Sequence, residues 1–169
     1  MNDSTAQPPA DPTNPQRYLP RRIVSGGQTG VDRAGLDVAI ALGIQHGGWC
    51  PRGRVAEDGT VPSRYDLVEH TSSRYPPRTA QNVIDSDATL IIYERRLKGG
   101  TLLTQRICKR QHKPHFVIRL DADSLAPAKA WLQHQRPDVL NVAGSRDTTA
   151  PGIYDRAMKA LFELLDSGS

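Results

Sequence analysis

Three glycine-bearing turns carry the residues of this 169-residue chain whose types and spacing suit chemistry. The first runs Ser25-Gly26-Gly27-Gln28-Thr29-Gly30-Val31-Asp32, the second Lys98-Gly99-Gly100-Thr101, and the third Ala143-Gly144-Ser145-Arg146. By its flanking pattern, each leads into a helix. Glycine lets the backbone take positive φ and approach a ligand closely. A helix start offers unpaired N–H groups and the positive end of the helix dipole, which suit a phosphate or a similar anion. Thr101 is expected to cap its helix, with its hydroxyl in reach of an anion. Arg146 adds a charge to the third turn. Any one of these turns reads equally well as a ligand-free connection; three along one sheet edge favour an anion-binding site.

Strands and helices must alternate to place these turns together. Arg22-Ile23-Val24 reads as a strand, and Val31, Ala34, Val38, Ala41 and Leu42 give helical spacing from Val31 to about Gly43. Gln45 to Cys50 suits a short second strand, and Pro51 to Tyr75 a long polar loop of the kind that is often functional. Pro76-Pro77 opens a helix over Arg78 to Asp85. Ala88 to Tyr93 is an apolar run fit for a strand buried on both faces. Further helices are expected from Gly99 to about Gln111, from a cap at Asp123 or Ser124 to about His134, and from Gly152 to Leu165. Strands over His115 to Leu120 and Asp138 to Ala143 separate them. This alternation predicts an α/β fold: a Rossmann-like open, mostly parallel sheet with helices on both faces in a single domain. Ligands of such sheets bind beyond the carboxyl ends of the strands, where the turns fall. Residues 1–17, rich in Pro, Asn and Asp, are expected to be a disordered tail, leaving 18–169 as the domain.

Composition narrows the partners. The net charge is +4 and aromatics make up 5% of the chain, too few for single-strand stacking platforms, and no helix carries a basic stripe. Nucleic acid is therefore not expected. Arg52, Arg54, Arg64, Arg74 and Arg78, then Arg95, Arg96 and Lys98, gather in a way that fits a small polyanion, although Arg95 and Arg96 read more readily as a solvated basic face. No apolar run approaches a membrane span and no secretory leader is visible. With only Cys50 and Cys108, both expected as buried thiols, the cytoplasm is the expected compartment. No metal site is expected, because His112-x-x-His115 is interrupted by Pro114. On the short helix, Arg78, Asn82 and Asp85 share one face, with Ala80, Val83 and Ile84 on the buried side. Asn82 and Asp85 suit either a ligand ring or ribose, or neighbouring backbone groups.

The stretches 25–37 (SGGQTGVDRAGLD), 53–59 (GRVAEDG), 75–87 (YPPRTAQNVIDSD), 99–104 (GGTLLT) and 141–144 (NVAG) resemble the putative molybdenum carrier family. That family is similar to the Lonely Guy nucleotide phosphoribohydrolases, in a circularly permuted branch of the Rossmann-like superfamily. The resemblance spans about Arg22 to Leu165. It implies a homo-oligomer with a pocket for molybdenum cofactor (molybdopterin), an anionic phosphorylated pterin, and a molybdoenzyme that accepts it. Carried over, Gly26, Gly27, Gln28, Thr29 and Gly30 form one anion loop, and Gly99, Gly100 and Thr101 the counterpart of the superfamily phosphate loop. Arg78 and Asn82 follow, then Glu57.

One departure bears on mechanism. The phosphoribohydrolases carry Pro-Gly-Gly-x-Gly-Thr-x-x-Glu, whose glutamate serves catalysis, whereas Thr104 and Gln105 stand in that region here and cannot ionise. The expectation is a non-catalytic carrier. The alternatives are a nucleotide-hydrolysing enzyme using Glu57 or Asp32, and a nucleotide-signal sensor.

Overall fold

The computed structural model describes residues 18–165, so the expected tail at 1–17 and residues 166–169 lie outside the described residues. In chain order the elements are β1 (Arg22–Val24), α1 (Val31–Ala41), β2 (Gln45–Gly47), β3 (Trp49–Cys50), a 3-10 turn (Arg52–Arg54), β4 (Val55–Ala56), β5 (Gly59–Thr60) and β6 (Val68–Glu69). They continue with α2 (Tyr75–Ile84), β7 (Ala88–Tyr93), α3 (Gly99–Arg110), β8 (His115–Arg119), α4 (Ala126–Gln135), β9 (Val139–Gly144) and α5 (Ile153–Leu165). Five parallel strands make the central sheet in the order β2-β1-β9-β7-β8. This is the expected Rossmann-like α/β architecture.

Alternation along the strands divides the core. Ile23, Leu90, Ile92, Ile118, Leu140 and Val142 belong to one cluster with residues of α1, α4 and α5. On the other face Val83 of α2 packs with Ile107 and Cys108 of α3. A third cluster (Leu36, Cys50, Ala56, Val61, Tyr65 and Leu67) fastens the segment after β3 to α1.

Several local expectations are corrected. The expected strand from Gln45 to Cys50 breaks at Gly48, whose φ is 122° and where a Cβ would lie 2.3 Å from the Ser25 carbonyl oxygen. Trp49–Cys50 pairs instead with β6. The stretch after Pro51 is ordered, because the Arg54 guanidinium donates to the carbonyls of Val61, Pro62, Tyr65 and Leu67. Thr101 is no cap: α3 already begins at Gly99, with Lys98 as N-cap and no side-chain bond there. Leu125 takes the N-cap of α4; Ser124 Oγ accepts the Ala126 N–H at 3.3 Å, and Asp123 accepts that of Arg119. Ile84 stays 43% exposed, and α2 turns Arg78, Asn82 and Val83 inward.

The end of β9 is the tightest point of the sheet. A Cβ at Gly144 would lie 1.9 Å from the Ile92 carbonyl oxygen and 2.8 Å from Val31 Cγ2. Backbone in a sheet cannot step aside, so Gly144→Ala is expected to destabilise the protein by about 1–3 kcal/mol, read as a lower urea midpoint. An unchanged midpoint would contradict this packing.

Candidate anion-binding site

From β1 the chain runs outward to β2, and from β7 it runs the other way to β8, with β9 inserted between β1 and β7. That reversal leaves a crevice at the carboxyl ends of β1, β9 and β7, the position where open α/β sheets bind ligands. A cavity of about 580 Å³ fills it, within the usual range for small-molecule sites. All three glycine-bearing turns contribute to its lining.

The second turn enters as the start of α3. Gly99, Gly100 and Thr101 line the cavity, and no side chain caps this helix. Its first N–H groups have no intrahelical partner, so the positive end of the dipole meets the cavity.

From α2 comes Arg78, only 7% exposed. Its Nη1 lies 3.7 Å from Asp32 Oδ2, and its Nε is buried without a hydrogen-bond partner. The guanidinium rests on bare backbone, since a Cβ at Gly26 would lie 1.7 Å from Nη1. Burial pushes the Asp32 carboxyl up, against the Arg78 charge and the N–H that Gln28 donates to it. Burial likewise pulls the Arg78 pKa down, against the Asp32 charge. Asn82 also lines the cavity, yet its amide clasps the Trp49 backbone: Oδ1 accepts the Trp49 N–H at 2.8 Å and Nδ2 donates to its carbonyl at 3.0 Å. Of its two expected roles, the bond to neighbouring backbone is the one seen. Asp85 is exposed and accepts from the Trp49 indole.

Within the first turn, Gly26, Gln28 and Asp32 line the cavity, whereas Gly27, Thr29 and Gly30 do not. Gly27 has φ 76°, and a Cβ there would meet Leu67 at 2.6 Å and Val61 at 2.9 Å. Gly30 has φ 81°, with the Ser145 carbonyl oxygen 2.4 Å from its Cβ position. Both glycines serve close packing. The Val31 N–H donates to the Ser145 carbonyl, so α1 is capped by the third turn. Glu57 lies outside the cavity lining. Its carboxylate accepts the hydroxyls of Thr29 and Thr148 and sits 3.9 Å from Arg146 Nη1. Gln28 Oε1 accepts the Glu57 N–H at 3.0 Å, which ties the β4–β5 hairpin to the first turn.

The expected polyanion cluster is corrected too. Arg54 is committed to loop carbonyls and Arg64 to Asp37 and Tyr65, and neither Arg52 nor Arg74 lines the cavity, so Arg78 and Lys98 are the expected members that do. Arg95 and Arg96 are exposed as expected, but they line the cavity with Lys98. Sequence reasoning did not assign Tyr75, Asn141 or Thr149 to the site, although all three line it. The Arg146 guanidinium lies 4.6 Å from the Tyr75 ring centre. The signal for the third turn was present in Ser145-Arg146 directly after a strand. Cys50 and Cys108 are free and buried. Among the described residues no cluster of three or more His, Cys, Asp or Glu is arranged to hold a metal, and no helix is long and apolar enough to cross a membrane.

Residues 23–165 match the Circularly permutated YpsA SLOG family. Among solved structures, a putative molybdenum carrier protein from Syntrophus aciditrophicus SB is similar to this chain, with 44% identity and a TM-score of 0.85. The similarity covers 89% of this chain and 98% of that one. No curated protein matches.

The Glu57 tie sets a pH dependence. Burial raises its pKa, but the hydroxyls of Thr29 and Thr148 and the Arg146 charge together hold it below the ordinary 4.5. A depressed carboxyl contributes stability that is complete above the unfolded value and lost as pH falls through the folded one. Glu57→Gln is therefore expected to flatten the acid limb of a urea-midpoint profile relative to wild type. Superimposable acid limbs would show that the tie contributes nothing.

Proposed function

The chain belongs to the Circularly permutated YpsA SLOG family, and from that premise we propose that it binds molybdenum cofactor, holding this phosphate-bearing pterin for delivery without converting it. One observation carries the reading. The buried Arg78, with Nε unpaired, lines the same cavity as the uncapped first turn of α3. A phosphate would complete both, taking backbone N–H groups at Gly99, Gly100 and Thr101 and a charge-assisted bond from Arg78. The similar protein named as a molybdenum carrier supports the choice of cargo. So does the charge of the lining, with five cationic side chains (Arg78, Arg95, Arg96, Lys98 and Arg146) against two carboxylates (Asp32 and Glu94).

The fit is to the organic, anionic part of the cofactor. Its metal is held by its own dithiolene and supplies the redox chemistry once delivered. The chain's part is to bind the phosphate, to surround the remainder with the amides of Gln28 and Asn82 and the ring of Tyr75, and to limit the access of water. Assembly as a homo-oligomer in the cytoplasm and transfer to a molybdoenzyme belong to the same proposal.

A second reading, hydrolysis of a nucleotide, is favoured by Asp32. Burial pushes its carboxyl up inside the cavity, a setting suited to a general acid. Against it, Asp32 is engaged by the Gln28 N–H and Arg78, and α3 carries no carboxylate.

Titration with molybdenum cofactor, with AMP run alongside and its products followed, separates the two. Saturable cofactor binding with AMP intact is expected; release of base and ribose phosphate from AMP would make the protein a hydrolase. Gly100→Val probes the phosphate position cleanly, since no atom lies within 4 Å of a Cβ placed there. The variant is expected to fold normally and to bind the cofactor more weakly by on the order of tenfold or more. Full affinity in the folded variant would remove the start of α3 from the site.

A further inference from the structure

Between β7 and α3 the chain makes a turn that is held from behind. The Arg96 N–H donates to the Glu94 carbonyl at 2.7 Å, and the Arg95 N–H donates to Asp121 Oδ1 at 3.1 Å. Asp121 is itself gripped by the Arg119 guanidinium at 3.0 Å. Arg95 sits at φ 60°, a left-handed conformation that is unfavourable for a non-glycine residue. The turn's own carboxylate is neutralised elsewhere, because Glu94 accepts two bonds from Arg156, at 2.5 and 2.8 Å. What remains displayed is Arg95, Arg96 and Lys98. All three are exposed on the cavity lining, and their side chains have no ion pair among the described residues.

A monophosphate at Arg78 and the first turn of α3 leaves these three cations unmatched. Three like charges within four residues repel one another, and an anion between them relieves the repulsion. We propose that the cavity has two anion subsites and that its ligand carries a pyrophosphate: one phosphate at Arg78 and the start of α3, the next at Arg95, Arg96 and Lys98. The inference rests on the reading of the cavity as an anion site. Pyrophosphate chemistry has two sources here, a free nucleoside diphosphate or the cofactor extended through a pyrophosphate to a nucleotide.

The test has two arms, each comparing ligands that differ by the second phosphate. AMP is compared with ADP, and molybdenum cofactor with its nucleotide-extended form, against the wild-type protein and an Arg95→Gly, Arg96→Ala, Lys98→Ala variant. Glycine accepts the φ of Arg95, so the turn is preserved. In wild type the pyrophosphate ligand is expected to bind about tenfold tighter than its partner, the effect of one further charge-assisted contact. In the variant that ratio is expected to fall to about one. A ratio near one in both wild-type arms, including a failure of all four ligands to bind, overturns the proposal, as does a ratio that the variant leaves unchanged. A gain confined to the nucleotide arm keeps the two subsites, assigns them to a nucleoside diphosphate and overturns the extended cofactor as the ligand that fills both. A gain confined to the cofactor arm assigns them to its extended form.

Discussion

Arg78 and Asp32 meet beside Gly26, where any side chain would occupy the space of the guanidinium. Withdrawing two such charges from water costs several kcal/mol per ion before their attraction is counted, so a buried pair of this kind is a poor device for stability alone. Its surroundings are arranged to keep it. The Gln28 N–H reaches Asp32, Gly48 lets the chain pass close to Ser25, and the Asn82 amide clamps Trp49 to hold α2 in place. What the pair leaves over is the Arg78 Nε, a buried donor with nothing to bond. A buried donor left without a partner, on a residue that lines a cavity, suits recognition better than it suits a core.

The neighbouring loops show the same economy of polar groups. Glu57 gathers Thr29 and Thr148, two residues 119 positions apart, counting the difference between their numbers, onto one carboxylate. Gln28 binds the backbone of Glu57, and Arg33 reaches from α1 to the Gly27 carbonyl and to both oxygens of Asp58. The first and third turns are thereby tied to each other, with the Val31 N–H already given to Ser145. The start of α3 is different, with bare glycines and open space at both Cβ positions. Of the three glycine-bearing turns, this is the one suited to receive an anion.

Much of the framework was legible because it is written in local periodicity. The apolar run from Ala88 to Tyr93 announced a strand covered on both faces, and the glycine turns after β1, β7 and β9 were recognisable from flanking residues alone. The segment after Pro51 was not, since its order comes from Arg54 bonds to carbonyls up to 13 residues away. Gly27 and Gly30 looked like members of an anion loop for a related reason. Whether a glycine makes room for a ligand or for Leu67, Val61 and Ile153 depends on residues distant in sequence. Arg95 and Arg96 read as solvated because no local pattern reveals that Asp121 holds their turn or that β9 inserts next to β7. Amphipathic logic misplaced Ile84, because the inward face of α2 is polar where it meets the cavity.

An anionic group of the ligand is expected between the Arg78 guanidinium and the first turn of α3. The decisive experiment is a crystal structure of the protein with molybdenum cofactor. Phosphate density is expected within hydrogen-bond distance of the Arg78 guanidinium and of the N–H groups at Gly99 to Thr101. A cofactor bound elsewhere, with Arg78 Nε still unpaired and the start of α3 open, would contradict it.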